Sequence, residues 1–277
     1  MKRIYFLINP GAGADYPILS LLNTKLQKRR VTCEILVTQK SGDITKFTRR
    51  AIKAGADGVA VYGGDGSIME AAKILYKTEI PLFLLPGGTA NILVKELGIP
   101  TTIDRALDLI FTKRKKIKKI DVGLCNNIPF FLRVSIGFMA DMVIDADPKL
   151  KKYLGQLAYP ITAIQSLSHV NESDYVIKID KKIIKETGIS VVVANSTNVG
   201  FSGVSFIPKA TVTDGTLYIF LIKNKLSTTD TITYWHGKDI HVSLAKKNQQ
   251  IVRDDDVVRA QRLRFKIAAD KLCVVVP

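Results

Sequence analysis

The first hundred residues alternate between short apolar runs and longer stretches of helical periodicity, and this alternation constrains the fold more than any other feature. The apolar runs predict strands, and the stretches between them predict helices. In chain order the elements span residues 4–9, 18–29, 34–38, 44–54, 58–62, 68–76, 81–85 and 90–97. Repeated β-α units build a parallel sheet covered by helices, so we expect an N-terminal α/β domain with a parallel sheet.

The pattern changes after a run of basic residues at 113–119. The apolar stretches beyond it are short and either alternating or β-branched, at 130–136, 175–179, 183–186, 190–194, 217–222 and 239–244. Such stretches indicate a mostly antiparallel, sandwich-like β structure. We therefore expect two domains, over residues 1–120 and 121–277, with a helical insert at 149–167.

Composition narrows the class of protein and the partners it can have. No stretch approaches the roughly 20 apolar residues of a membrane span, and the apolar run at 4–8 is too short for a secretory signal, so we expect a cytoplasmic protein. The chain has 41 Lys and Arg against 25 Asp and Glu, a formal net charge of +16. This excess favours a polyanionic partner, and we expect peripheral association with the anionic inner face of a membrane. Nucleic acid is not expected, because no basic motif is interleaved with aromatic residues.

Residues 63–67, Gly-Gly-Asp-Gly-Ser, lie directly between a predicted buried strand and a predicted helix. Glycines let backbone N–H groups approach a polyphosphate without an intervening side chain. Ser67 and Glu70 match a capping box, which would start the helix there and direct its positive end at the loop. Asp65 would repel a phosphate unless Mg²⁺ or a ribose hydroxyl lies between them. The segment thus predicts a nucleotide phosphate site, with a plain tight turn as the alternative.

Two further glycine loops follow predicted strands. Residues 86–89, Pro-Gly-Gly-Thr, come one β-α unit later, with Thr89 placed to cap the next helix, and residues 9–13, Asn-Pro-Gly-Ala-Gly, close the first strand. Ligands of parallel α/β sheets bind beyond the carboxyl ends of the strands, so we expect these loops to form one nucleotide site. No Gly-Lys-[Ser/Thr] sequence and no G-x-G-x-x-G after a strand is present, which excludes the Walker and dinucleotide motifs.

In this order the motifs resemble those of the diacylglycerol kinase catalytic-domain family, which includes sphingosine and ceramide kinases and is related in fold to NAD kinases. The resemblance covers nearly the whole chain. The matching segments are 9–13, Thr38 with 42–43, 63–66, 86–91, 97–100, 136–138, 154–155 with Tyr159, Asn195, 208–210, 214–217 and 254–256.

The resemblance implies an ATP-dependent and Mg²⁺-dependent lipid kinase that phosphorylates the hydroxyl of diacylglycerol or a related lipid alcohol. It implies that Thr211, Asp214 and Thr216 hold a structural Mg²⁺ and that Asp65 is a catalytic carboxylate. The residues expected to contact ATP are Asn9, Pro10, Gly11, Ala12, Gly13, Thr38, Gly63, Gly64, Asp65, Gly66, Ser67, Ile68, Met69, Gly88, Thr89 and Asn91.

The expected general base is where the chain departs from the family pattern. The family's Asp-Gly-Glu accepts the proton of the lipid hydroxyl, and this chain has Asp254-Asp255-Asp256 instead. A carboxylate is all that the step requires, so Asp256 is the expected base and Asp254 the second choice. Asp reaches about one methylene less than Glu, and a misplacement of about 1 Å can cost about 100-fold in rate.

A second departure is Ile92, which follows Asn91 where many members of the family have Asp. With the altered triplet it leaves three functions open: a lipid kinase, an NAD kinase-like enzyme, and a nucleotide- or lipid-binding regulator with impaired catalysis. The sequence also leaves the acceptor lipid and the oligomeric state open, a homodimer included.

Overall fold

The computed structural model describes residues 3–12, 16–27, 31–112, 115–144, 171–195, 210–223, 232–244 and 248–277. They form two compact units, Met1–Ile120 with Asp270–Pro277, and Asp121–Ala269. The predicted second domain, 121–277, is therefore wrong at its end, because the last residues are a buried strand of the first unit. The predicted helical insert at 149–167 lies outside the described residues.

The first unit is an α/β sheet. Its strands are β1 (Arg3–Ile8), β2 (Thr32–Val37), β3 (Gly58–Gly63), β4 (Leu82–Pro86), β5 (Lys116–Ile120) and the last strand of the chain, Leu272–Val276. Its helices are α1 (Ile18–Gln27), α2 (Asp43–Lys53), α3 (Asp65–Leu75), α4 (Ile92–Glu96) and α5 (Ile103–Phe111). All strands are parallel except β5, which is antiparallel to the last strand.

The second unit is built of antiparallel strands. They are β6 (Gly123–Cys125), β7 (Ile128–Phe130), β8 (Arg133–Gly137), β9 (Ser173–Ile179), β10 (Lys182–Gly188), β11 (Ser190–Ala194), β12 (Leu217–Ile222), β13 (Ile232–Gly237), β14 (Asp239–Leu244), β15 (Gln249–Arg253), β16 (Asp256–Ala260) and β17 (Arg262–Ile267), with α6 (Phe138–Ile144) after β8. The last strand, in the first unit, is β18. The predicted fold class, a parallel-rich N-terminal sheet followed by antiparallel sheets, is confirmed.

Strand order follows from which residues are buried. In the first sheet, β2-β1-β3-β4-β18-β5, the strands β3, β4 and β18 are buried along their whole length, as continuous apolar runs covered on both faces require. β5 is exposed over its first four residues and lies at the edge, where lysines discourage pairing with another chain. Part of the basic run at 113–119 is thus an edge strand.

The second unit has two six-stranded sheets, ordered β10-β9-β14-β17-β6-β7 and β13-β12-β11-β8-β15-β16. Their shared core contains side chains from both sheets, including Ile177, Phe265, Val134 and Ile251. Burial of each such side chain contributes about 1.5–3 kcal/mol. Strand alternation leaves the opposite face of the first of these sheets exposed, as the pattern of β9 shows.

Candidate functional site

Three loops lie at the carboxyl ends of β1, β3 and β4. β3 pairs with both neighbours, and its last residue, Gly63, is the register partner of Pro86. Asn9 N donates to Tyr62 O at 2.9 Å, and Gly87 N donates to Gly63 O at 2.9 Å. These backbone bonds join the loops along one edge of the sheet.

Asn9 links the glycine loop after β1 to α3. Its Nδ2 donates to Ser67 Oγ at 2.8 Å, and its Oδ1 accepts the N–H of Gly11 at 3.0 Å. A Cβ at Gly63 would lie 2.6 Å from Ser67 Cβ, closer than real atoms approach. A side chain at residue 63 would displace Ser67, so this position requires glycine.

The glycine loops after β3 and β4 approach each other through their backbones. A Cβ at Gly88 would lie 2.6 Å from the Cα of Gly64, which cannot rotate away as a flexible side chain could. This close approach leaves backbone N–H groups, rather than side chains, at the edge of the sheet. Phosphate oxygens bind such groups.

α3 begins at Asp65, so the predicted capping box of Ser67 and Glu70 is wrong. Gly64 is the N-cap and has no side chain to offer to the first turn. Ser67 is instead the third residue of the helix, and Glu70 Oε1 accepts the N–H of Thr45 at 2.8 Å. The first turn of α3 therefore directs N–H groups that lack a side-chain cap toward the loop, as an anion site requires.

The Asp65 carboxylate connects α3 to α4. Its Oδ1 accepts the backbone N–H of Ile92, the first residue of α4, at 2.8 Å. Because the donor belongs to the backbone, Ile in place of the family's Asp leaves this contact intact. The N-cap of α4 is Asn91, in the left-handed conformation with φ 47°, so the prediction that Thr89 caps this helix is wrong.

The side chain of Asn91 explains why α4 starts there. Its Nδ2 donates to Gly88 O at 2.7 Å, and its Oδ1 accepts the N–H of Gly88 at 3.2 Å. The amide thus closes the loop 88–91 on itself before the helix begins. Asn adopts the left-handed conformation more readily than most residues do.

A pocket of about 510 Å³ lies beside these loops. The predicted ATP contacts that line it are Asn9, Pro10, Gly11, Thr38, Gly66 and Ser67. Residues 39–41, Ile44 and Glu70 also line it, and they were not among the predicted ATP contacts. Lys40 is among these and gives the pocket a cation. The pair Gly42-Asp43 was the available signal, because it marks the start of α2.

Asp43 holds the segment that contains Lys40. Its Oδ2 accepts the backbone N–H groups of Gln39 at 2.8 Å and of Lys40 at 3.0 Å. These two hydrogen bonds hold the pKa of the Asp43 carboxyl below its usual range. The charged carboxylate therefore fixes the loop at the rim of the pocket.

The remaining predicted ATP contacts have other surroundings. Ile68 and Met69 are fully buried, so only their backbone can face a ligand. Gly88 and Asn91 line a second pocket of about 370 Å³. Of the others, the structure places Ala12 in a buried position, Thr89 in a half-buried one and Gly13 outside the described residues.

In the second unit, Asp254 and Asp255 form the two-residue turn between β15 and β16, and Asp254 is left-handed with φ 48°. The Asp254 carboxylate accepts three backbone N–H groups: Phe131 at 2.9 Å, Leu132 at 2.9 Å and Arg133 at 3.1 Å. Burial raises the pKa of Asp254 to about 6, against the effect of these three donors. Asp254 therefore ties the turn to the segment before β8.

Asp256 has different surroundings. It is the first residue of β16, and 44% of its side chain is exposed. Its Oδ2 lies 3.4 Å from Nη2 of Arg253, its register partner across the hairpin. Of the two expected bases, Asp254 is held by three backbone donors, whereas Asp256 has a large exposed fraction.

Thr211, Asp214 and Thr216 lie together in one turn. Asp214 Oδ2 accepts Thr211 N and Tyr218 OH, each at 2.8 Å, and its Oδ1 accepts Thr216 N at 3.0 Å. The described residues contain no group of three or more His, Cys, Asp or Glu side chains that could hold a metal. The turn can still supply ligands to one Mg²⁺ ion. Mg²⁺ prefers oxygen ligands, and the exposed Asp214 carboxylate keeps about one lone-pair position that none of these three donors uses.

Comparison with known proteins matches both halves of the chain. The diacylglycerol kinase catalytic domain matches residues 3–125, and the YegS C-terminal NAD kinase beta sandwich-like domain matches residues 133–271. The chain belongs to the diacylglycerol kinase catalytic-domain family. The resemblance on which the sequence interpretation rested is confirmed, and membership of this kinase family implies a nucleotide substrate.

Relatives of this family match along most of the chain. An uncharacterised protein of Synechocystis is 28% identical over 312 residues, which cover 100% of this chain and 70% of that protein. A diacylglycerol kinase of Staphylococcus carnosus is 25% identical over 227 residues, 80% of this chain and 73% of the relative. A solved diacylglycerol kinase structure from Bacillus anthracis has a TM-score of 0.77 at 24% identity, covering 100% of this chain and 97% of that one. No helix among the described residues is long and apolar enough to cross a membrane.

Proposed function

We propose that this protein transfers the γ-phosphoryl group of ATP to the hydroxyl of diacylglycerol or a related lipid alcohol. The observation that carries the proposal is the joining of three glycine loops at one edge of the first sheet, through Asn9, Ser67 and Asp65. Such an edge binds a polyphosphate, and phosphoryl transfer depends mainly on positioning and charge stabilisation.

On the nucleotide side, backbone N–H groups of the glycine loops and of the first turn of α3 bind the phosphates. Lys40 adds a cation at the rim of the same pocket. The Asp65 carboxylate holds the first residues of α3 and α4 together. It thereby keeps the glycine loops before these two helices at a fixed separation. Mg²⁺ bound at Asp214, with the carbonyls of Thr211 and Thr216, would stabilise the turn that holds these residues.

On the acceptor side, Asp256 accepts the proton of the lipid hydroxyl. The hydroxyl oxygen then forms a bond to the γ-phosphorus, and the bond from that phosphorus to the bridging oxygen of ADP breaks. Asp254 does not serve as the base in this proposal. Three backbone donors occupy its carboxylate, so its role is to shape the turn that carries Asp256.

Turnover of labelled ATP in the presence of Mg²⁺ and mixed micelles of lipid alcohols tests the proposal. The expected product is a phosphorylated lipid, and Asp256→Ala is expected to reduce its formation at least about 100-fold. Asp255→Ala is the matched control, since it removes the neighbouring exposed carboxylate. NADP formed from NAD would identify an NAD kinase-like enzyme instead, and ATP binding without product would identify a regulator.

We also propose that the protein works at an anionic membrane surface. The support is the basic face, which we define as Val176, Lys178, Ile183, Lys185 and Arg262 on the exposed side of the β10-β9-β14-β17 strands. Val176 is 41% and Ile183 62% exposed. The three cationic side chains have no ion-pair partner among the described residues. Each Lys or Arg near an anionic surface contributes about 1 kcal/mol to binding.

A further inference from the structure

Arg253 is an unusual residue for the end of β15, because it is buried with 7% of its surface exposed. Arginine is almost never fully buried unless it is paired. Strand alternation puts it on the same side of β15 as Ile251, which belongs to the core shared by the two sheets. The guanidinium therefore lies at the end of that core, one residue before the acidic turn.

Asp256 is the anionic side chain within ion-pair distance of Arg253 in the described part of the chain. The two residues are register partners across the two-residue turn, with 3.4 Å between Nη2 and Oδ2. Nε of Arg253 is buried and has no hydrogen-bond partner among the described residues. A buried guanidinium with an unsatisfied donor is costly, so its placement calls for a role.

The other charged and titratable groups around the pair have different surroundings. Asp254 faces the backbone N–H groups of residues 131–133, and Asp255 is exposed on the turn. From the neighbouring strands, Arg133 lies on β8 and Cys125 on β6. Burial raises the pKa of Cys125 to about 12, with Arg253 opposing, so this thiol carries no charge near neutral pH.

We propose that Arg253 is a positioning residue that holds the Asp256 carboxylate charged and fixed in direction. The inference rests on the proposed function of Asp256 as the general base. The family's Glu reaches about one methylene further than Asp, and a short base tolerates less misalignment. A cation across the hairpin restricts the Asp256 side chain and favours its ionised form. By fixing the direction of the carboxylate, Arg253 offsets the shorter reach of the Asp256 side chain.

The test is the pH dependence of lipid phosphorylation in Arg253→Gln, Arg253→Met and Arg253→Lys. We expect both neutral variants to lower kcat about tenfold or more while leaving KM for ATP unchanged, because Arg253 is not among the residues that line the proposed nucleotide pocket. The midpoint of the acidic limb of their pH–rate profiles should shift to higher pH by about 1 pH unit or more, since a carboxylate beside a cation loses its proton more easily. Arg253→Lys should bring this midpoint most of the way back to its wild-type value. Arg259→Gln, an exposed arginine on β16, is the matched control and should behave as wild type.

The outcomes separate this inference from the proposed function. A wild-type protein that phosphorylates no lipid, or an Asp256→Asn variant that keeps full activity, contradicts the proposed function. If Asp256→Asn is inactive but the neutral Arg253 variants keep the wild-type acidic limb, the role of Arg253 alone is overturned. If neither neutral variant folds, as judged by circular dichroism, Arg253 is a structural residue and the inference is also overturned.

Discussion

The backbone N–H of Ile92 donates a 2.8 Å hydrogen bond to Oδ1 of Asp65. This bond ties the first residue of one helix to the first residue of another, and both helices follow glycine loops. It also shows why a residue that departs from the family pattern need not disturb the loops. The substitution changes a side chain, whereas the contact uses the backbone.

Asp65→Asn and Asp65→Ala should therefore differ. Asn keeps an oxygen that accepts the Ile92 N–H, so its stability should stay within about 0.5 kcal/mol of wild type. Ala leaves that donor without its partner and should cost about 1–3 kcal/mol. Urea unfolding measures both values. Equal losses in the two variants would show that the hydrogen bond contributes little.

Gly88→Ala should destabilise the first unit, because its Cβ would lie 2.6 Å from the backbone of Gly64. We expect a cost of about 1–3 kcal/mol and weaker ATP binding, since the loops must separate. Gly11→Ala is the control for stability, because its nearest contact is an ordinary 3.4 Å from Asn9 Oδ1. Unfolding curves compare the two variants, and ATP titration calorimetry compares Gly88→Ala with wild type. Similar losses of stability in both variants would contradict the prediction.

Asp254 should show its structural role in the pH dependence of stability. Its pKa is about 6 in the folded chain and about 3.9 when unfolded, so the folded chain holds more protons between these values. The contribution of Asp254 to the free energy of unfolding is therefore greatest below pH 4 and falls as pH rises through 6. Urea unfolding of wild type and Asp254→Asn from pH 3.5 to 7.5 measures it. The difference, wild type minus variant, should decline over this window.

The same variant should also be less stable at every pH. The Asp254 carboxylate has two oxygens that accept three backbone N–H groups, whereas the Asn amide has only one acceptor oxygen. A pH-independent difference would mean that Asp254 titrates normally. An unchanged stability with lost turnover would place Asp254 in the chemistry rather than in the turn.

Reversing charge on the basic face should weaken membrane binding. Lys178→Glu with Lys185→Glu should reduce co-sedimentation with vesicles containing phosphatidylglycerol by about tenfold or more, from about 1 kcal/mol per charge. Neutral phosphatidylcholine vesicles should bind both proteins weakly. Lys116→Glu with Lys118→Glu, on the exposed edge strand β5, is the matched control. An equal effect of the control pair would show that net charge, not this face, determines binding.

Much of the first unit could be predicted from the sequence, because parallel strands and glycine loops leave local patterns. The start of α3 could not, since both Gly64 and Ser67 are acceptable N-caps and only packing against Asn9 decides between them. The anchoring of Asp254 by residues 131–133 joins positions more than 120 apart in the chain, for which no local pattern exists. The pair of Arg253 and Asp256 becomes visible only once the hairpin register is known.

The return of the final strand to the first sheet has a consequence for how the protein is made. β18 lies between β4 and β5, so that sheet stays split until residues 272–276 have left the ribosome. At roughly 5–20 residues per second, synthesis of the second unit takes on the order of 10 s. During that interval the exposed edge of β4 is open to mispairing, and a fragment ending at residue 120 would retain this defect permanently.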